Sequence, residues 1–137
     1  MKIASTIAAL AVMSFCGPAL AAGWTEGFER GTYYHTLALD DLKMIVVCDA
    51  EGTRGKNAGY ITVEAGGNDH IDGTLAVSLD GKAASTRLEY GSAFEKTNPT
   101  AFKAITDRLA AAGAITVSVA DKEWSFSNPK PVNLHCK

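Results

Sequence analysis

Three histidines, three cysteines and two Gly-rich loops hold the side chains of this 137-residue sequence that are able to do chemistry. His35, His70 and His135 fall in three different segments, with no i,i+2 or i,i+4 spacing between any pair. Zinc or copper would gather them only through the fold, so they read as three unrelated surface residues. His135 is expected to face solvent, opposite Leu134 and Cys136 in an alternating strand. No G-x-S-x-G elbow accompanies the serines, so no nucleophile is marked.

The loops are equally weak as sites. Gly52 to Asn57 (GTRGKN) invites comparison with a phosphate-binding loop, but that motif needs glycine at position 50 and Ser or Thr at position 57. Alanine and asparagine stand there, and a strand follows where a helix is needed to aim its dipole at a phosphate. Arg54 and Lys56 are then loop charges available to a partner. Gly66 to Gly73 (GGNDHIDG) resembles one unit of a calcium-binding nonapeptide repeat, with Asp69 and Asp72 as carboxylates and Asn68 as a carbonyl donor. Such repeats bind by stacking, and one copy cannot complete a site. Asp69, His70 and Asp72 remain the weak metal candidates. No catalytic residue and no cofactor is expected.

The cysteines are read through the N-terminus. Lys2, the apolar run Ile3 to Phe15, Pro18 and Ala19-Leu20-Ala21 make the pattern of a cleaved secretory signal, residues 1–21. The run is too short for a membrane anchor. Cys16 follows Phe15 rather than the small residue that lipid attachment needs, so it leaves with the signal. The domain is then 22–137, with Cys48 and Cys136 as a pair. In an oxidising compartment they form one disulfide; no C-x-x-C spacing supports a reactive or metal-binding pair. The formal charge of −2 becomes −3 once Lys2 is removed, which argues against a nucleic-acid partner.

The elements that position these residues are mostly strands. Thr32 to Leu39, Lys43 to Asp49, Tyr60 to Ala65, Thr74 to Leu79, Ala83 to Tyr90, Ala114 to Ala120, Glu123 to Ser127 and Val132 to Cys136 alternate or run apolar. Asp80-Gly81 is a hairpin turn. One helix is expected over about residues 98–112, with Asn98 as cap, Pro99 in its first turn and Gly113 as its stop. The fold class is therefore mainly β: an antiparallel β-sandwich-like domain of about eight strands with one late α-helix. Gly23 to Gly31 reads as a polar lead-in whose Trp24 and Phe28, with Tyr33 and Tyr34, either cover one end of the core or face a partner.

The order of these segments resembles the small periplasmic domain of invasion-associated locus B proteins and the related accessory proteins of type VI secretion. The matching pieces are Ile45 to Cys48, Leu75 to Gly81, Pro99 to Leu109, and Trp124 to Cys136. The sequence departs from that pattern at Ser127-Asn128-Pro129, where a glycine is expected. The resemblance implies an exported β-sandwich-like protein and carries over no catalytic residue. The expected function is a periplasmic or secreted, non-catalytic binding protein that engages another protein or an envelope component. Trp24, Phe28, Tyr33, Tyr34, Arg54 and Lys56 are its candidate contacts. The alternatives are an inhibitor of a cell-wall hydrolase acting through Ala50 to Gly59, and a small metal-dependent enzyme using the Asp69–Asp72 loop.

Overall fold

The computed structural model describes residues 20–21, 23–49 and 51–136. Ten strands and one helix follow in chain order: β1 (Leu20–Ala21), β2 (Gly23–Glu29), β3 (Thr32–Leu39), β4 (Leu42–Val47), β5 (Tyr60–Ala65), β6 (Gly73–Leu79), β7 (Lys82–Leu88), β8 (Ser92–Phe94), α1 (Pro99–Ala110), β9 (Gly113–Val119) and β10 (Lys122–Asn128). They make two sheets, ordered β2-β3-β4-β5-β8 and β1-β10-β9-β6-β7. Strands β2 to β10 pair antiparallel, and β1 runs parallel beside β10. This is the expected mainly β, sandwich-like domain.

Period-two alternation builds the core. Leu37 and Leu39, Leu42, Met44 and Val46, and Ile61 and Val63 line the inner face of one sheet. Leu75 and Val77, Ile115, Val117 and Val119, and Trp124 and Phe126 line the other. The apolar faces bury each other in one core cluster, which hides the hydrophobic side of each sheet. Asp80 and Gly81 both take positive φ, 51° and 79°. That is the primed turn whose twist matches the strands it joins.

The helix starts where Asn98 accepts a hydrogen bond from the Ala101 N–H, with Pro99 in its first turn. It buries Phe102, Ile105, Thr106 and Leu109 against β6, β7 and β8. It stops at the Ala111 cap, and Gly113 opens β9. Buried Asn128 satisfies its end, donating to the carbonyls of Leu109 and Ala111 while accepting from the Trp24 indole. One side chain thus ties β10, α1 and β2 together.

Three expectations are corrected. Gly23–Glu29 is a paired strand rather than a lead-in, and Ser92–Phe94 adds a short one. Val132 to Cys136 is not a strand: His135 has φ 56°, which breaks the alternation expected of it. The expected signal, 1–21, lies outside the described residues except for Leu20–Ala21. Among the described residues no helix is long and apolar enough to cross a membrane.

The tail is held instead by single contacts. Val132 N–H donates to the Ala110 carbonyl, Leu134 is buried, and Cys136 is bonded to Cys48 just past β4, with Cα atoms 4.9 Å apart. The two cysteines are 88 residues apart, so the chain-entropy argument values the bond at about 4–5 kcal/mol. Urea unfolding of the Cys48→Ala/Cys136→Ala variant is expected to show a loss of about 2–5 kcal/mol against the oxidised protein. An unchanged midpoint would mean that the tail adds nothing to stability.

Candidate functional site

The β2–β3 hairpin presents a different candidate site on each of its faces. Its register sets Glu26 opposite His35 and Phe28 opposite Tyr33, all on the inner side. His35 shares that side with Leu37 and Leu39 and is only 3% exposed. The tail then lays His135 beside them. Its ring stacks on Tyr33 with centroids 3.9 Å apart and lies 5.5 Å from the His35 ring. Its backbone N–H donates to Asn133 Oδ1, which supports the left-handed conformation at this residue.

Both imidazoles reach one carboxylate oxygen. Glu26 Oε1 lies 2.9 Å from His135 Nε2 and 3.4 Å from His35 Nε2. Among the described residues these three form the only group of His, Cys, Asp or Glu whose ligand atoms all lie within 4.8 Å of one another. Burial pushes the His35 pKa below its ordinary value, with Glu26 opposing and the neighbouring His135 reinforcing the shift. The His35 Nδ1 is buried without a hydrogen-bond partner among the described residues. An open pocket of about 580 Å³ leads to the cluster, with Trp24, Thr25, Val132 and Asn133 around it.

This corrects the reading of three unrelated surface histidines. His35 is core-facing, and His135 is half-buried against it; only His70 stands apart, paired with its neighbour Asp69. A signal for His35 existed, because His35, Leu37 and Leu39 share the two-residue period of an inner face. The partnership with His135 depends on the tail's path, which has no local pattern.

The outer face carries the second surface. Tyr34, Val47, Tyr60 and Phe94 are successive cross-strand partners on β3, β4, β5 and β8. Val47 is buried beneath its neighbours, while Tyr34 and Phe94 are exposed, and the Tyr60 and Phe94 rings lie 6.4 Å apart. Ile45, Val47 and Thr32 line a pocket of about 320 Å³ together with Tyr34, Tyr60 and Arg54. Arg54 is held there by its Nε–H bond to Thr32 Oγ1. At the edge, Tyr34 lies across Gly27, where an added Cβ would come within 2.1 Å of the ring. Glycine at 27 is what lets this ring lie flat over β2.

The six expected contact residues therefore divide. Tyr34 and Arg54 share the outer pocket; Tyr33 borders both that pocket and the inner one, and its ring pairs with Phe28, with centroids 4.9 Å apart. Trp24 packs edge-on to Phe126 and donates to Asn128, which makes it a core residue first. Lys56 lines a third pocket of about 540 Å³ between the loop after β4 and α1, above the disulfide. Asp49 organises that loop by accepting from the Thr53 and Arg54 N–H groups. In the other loop, Asp72 accepts from Tyr90 N–H and Asn68 from His70 N–H, so both serve turn geometry.

A family model, YfjT, matches residues 22–133. The chain belongs to the YfjT family. No curated protein and no solved structure matches it. The YfjT match spans both faces of the β2–β3 hairpin, with Glu26, His35, Tyr34 and Phe94, and ends before His135 and Cys136.

The third pocket allows a test of its electrostatics. Burial, aided by the Asp49 charge, raises the Glu95 pKa above the ordinary glutamate value. The unfolded chain thus gives up this proton at lower pH than the folded one, and ionising Glu95 costs stability as the pH rises. Glu95→Gln is expected to raise the Tm at pH 7.5 by about 1–3 °C, the effect of a few tenths of a kcal/mol on a part-exposed group. The gain should vanish below about pH 4, where both states hold the proton. A variant less stable at pH 7.5 would contradict this.

Proposed function

We propose that this YfjT-family protein is an exported, non-catalytic binding protein, and that it engages a protein partner through the outer face of the β2-β3-β4-β5-β8 sheet. The observation that carries the reading is the row Tyr34, Val47, Tyr60 and Phe94, which crosses four strands and sets aromatic rings from three of them, β3, β5 and β8, around buried Val47. Tyrosine, phenylalanine and arginine are the side chains that interface centres favour, the aromatic rings because they supply much contact area for little ordering entropy. Arg54 at the edge of the pocket adds a fixed charge for orientation. The pocket is formed before anything binds, with Arg54 already held to Thr32, which lowers the cost of association.

Export to the periplasm or beyond is supported by the signal pattern of residues 1–21 and by the disulfide, a bond that persists in oxidising compartments. The pocket in this face is lined by the Tyr34 and Tyr60 rings, the aliphatic Ile45 and Val47, and the Arg54 cation, a mixture that suits a protein surface.

Affinity capture from a periplasmic extract, with each bait oxidised and of verified Tm, tests the proposal. The wild-type chain should retain a defined protein partner. Tyr34→Ser/Phe94→Ser should lose it by more than about tenfold, since such anchors carry 2 kcal/mol or more each. Gly27→Ala should weaken retention by displacing the Tyr34 ring, while Ser118→Ala on the opposite sheet should leave it unchanged. Equal retention by all four baits, or none by the wild type, would contradict the proposal.

A further inference from the structure

We infer that Glu26, His35 and His135 form a binding site for one divalent transition-metal ion of the zinc and copper class. The inference is independent of the outer-face reading, because it stands on other residues and on the opposite side of the hairpin. Its basis is convergence. Two imidazole nitrogens, both Nε2, and one carboxylate oxygen meet at the bottom of an open pocket, brought there by β2, β3 and the tail.

The spacing suits a metal as well as it suits protons. With bonds of about 2.0–2.1 Å and tetrahedral angles, ligand atoms on a zinc ion stand roughly 3.3–3.4 Å apart. The observed separations from Glu26 Oε1 are 3.4 Å to His35 and 2.9 Å to His135, so the second must open by only a few tenths of an ångström. Glu26, whose side chain is half exposed, has that freedom through its torsions, and the two imidazole nitrogens lie within 4.8 Å of each other. Two nitrogens disfavour calcium and magnesium, which take oxygen shells. Imidazole with one carboxylate is the donor set of zinc, copper and related ions. Three protein ligands leave a position facing the pocket for water or another small ligand.

The surroundings hold two of the three ligands still. His35 is buried, and His135 is clamped between the Tyr33 ring, the Asn133 turn and the disulfide at Cys136. Metal on His35 Nε2 leaves the ring proton on Nδ1, which has no partner among the described residues. The site should therefore bind about 10–100-fold more weakly than one whose ligands all have outer hydrogen bonds.

The test is titration of the oxidised, metal-free protein with Zn²⁺ by calorimetry, and with Co²⁺ followed by visible absorption. One equivalent should bind, and Co²⁺ should develop the absorption of a low-coordinate nitrogen and oxygen site. His135→Ala and Glu26→Gln alter partly exposed side chains, so both should stay folded by Tm in metal-free buffer. Each should weaken binding at least tenfold, whereas His70→Ala should bind like the wild type. Absence of stoichiometric binding would overturn the inference. So would wild-type affinity in His135→Ala and Glu26→Gln, or loss of binding in His70→Ala; the first two outcomes would leave a hydrogen-bonded carboxylate–imidazole cluster only.

Discussion

One covalent tie decides where the last residues of the chain go. Residues after β10 belong to neither sheet, so no ladder of hydrogen bonds holds them. Cys136 bonded to Cys48, with Leu134 in the core, brings the tail back beside the β2–β3 hairpin. Each later feature depends on that path. His135 meets Glu26 and stacks on Tyr33 because the residue after it cannot move away. An irregular segment is thereby given the positional accuracy that the strands owe to pairing.

The hairpin itself shows how one element serves two surfaces. Alternation sends Glu26, Phe28, Tyr33 and His35 to the inner side, while Gly27 and Tyr34 face out. Because the edge strand has glycine at 27, a ring from β3 can lie across it and extend the aromatic row to the sheet's margin. The inner side, by contrast, places a carboxylate and two imidazoles at the end of an otherwise apolar core. Charged and titratable groups at such a place are expensive to keep unless they are paired. Here the pairing converges on a single oxygen, a geometry with a use beyond neutralising charge.

Much of the fold was legible from the residues. Leu75, Val77 and Leu79 before Asp80-Gly81, and Asn98-Pro99 before Phe102, Ile105 and Leu109, combine the right period with the right stop signals. The Cys48–Cys136 pair followed from counting. β2 was hidden because its two glycines and two glutamates look like a linker; only the two-residue spacing of Trp24, Glu26 and Phe28 marks it as a strand. The tail misled in the opposite way, since Val132, Leu134 and Cys136 alternate as a strand does. Pro129 and Pro131 withhold N–H donors, and the left-handed turn at His135 ends any regular course. The candidate sites were less legible for the same reason: each is assembled from segments far apart in the chain.

The disulfide-held tail assembles Glu26, His35 and His135 into one cluster. The most direct measurement is the nuclear Overhauser effect between the ring protons of His135 and Tyr33, in the oxidised chain and after reduction. Strong ring-to-ring cross-peaks are expected in the oxidised chain and should disappear on reduction while cross-peaks between β3 and β4 persist. Cross-peaks absent from the oxidised chain, or undiminished in a reduced one, would contradict this assembly.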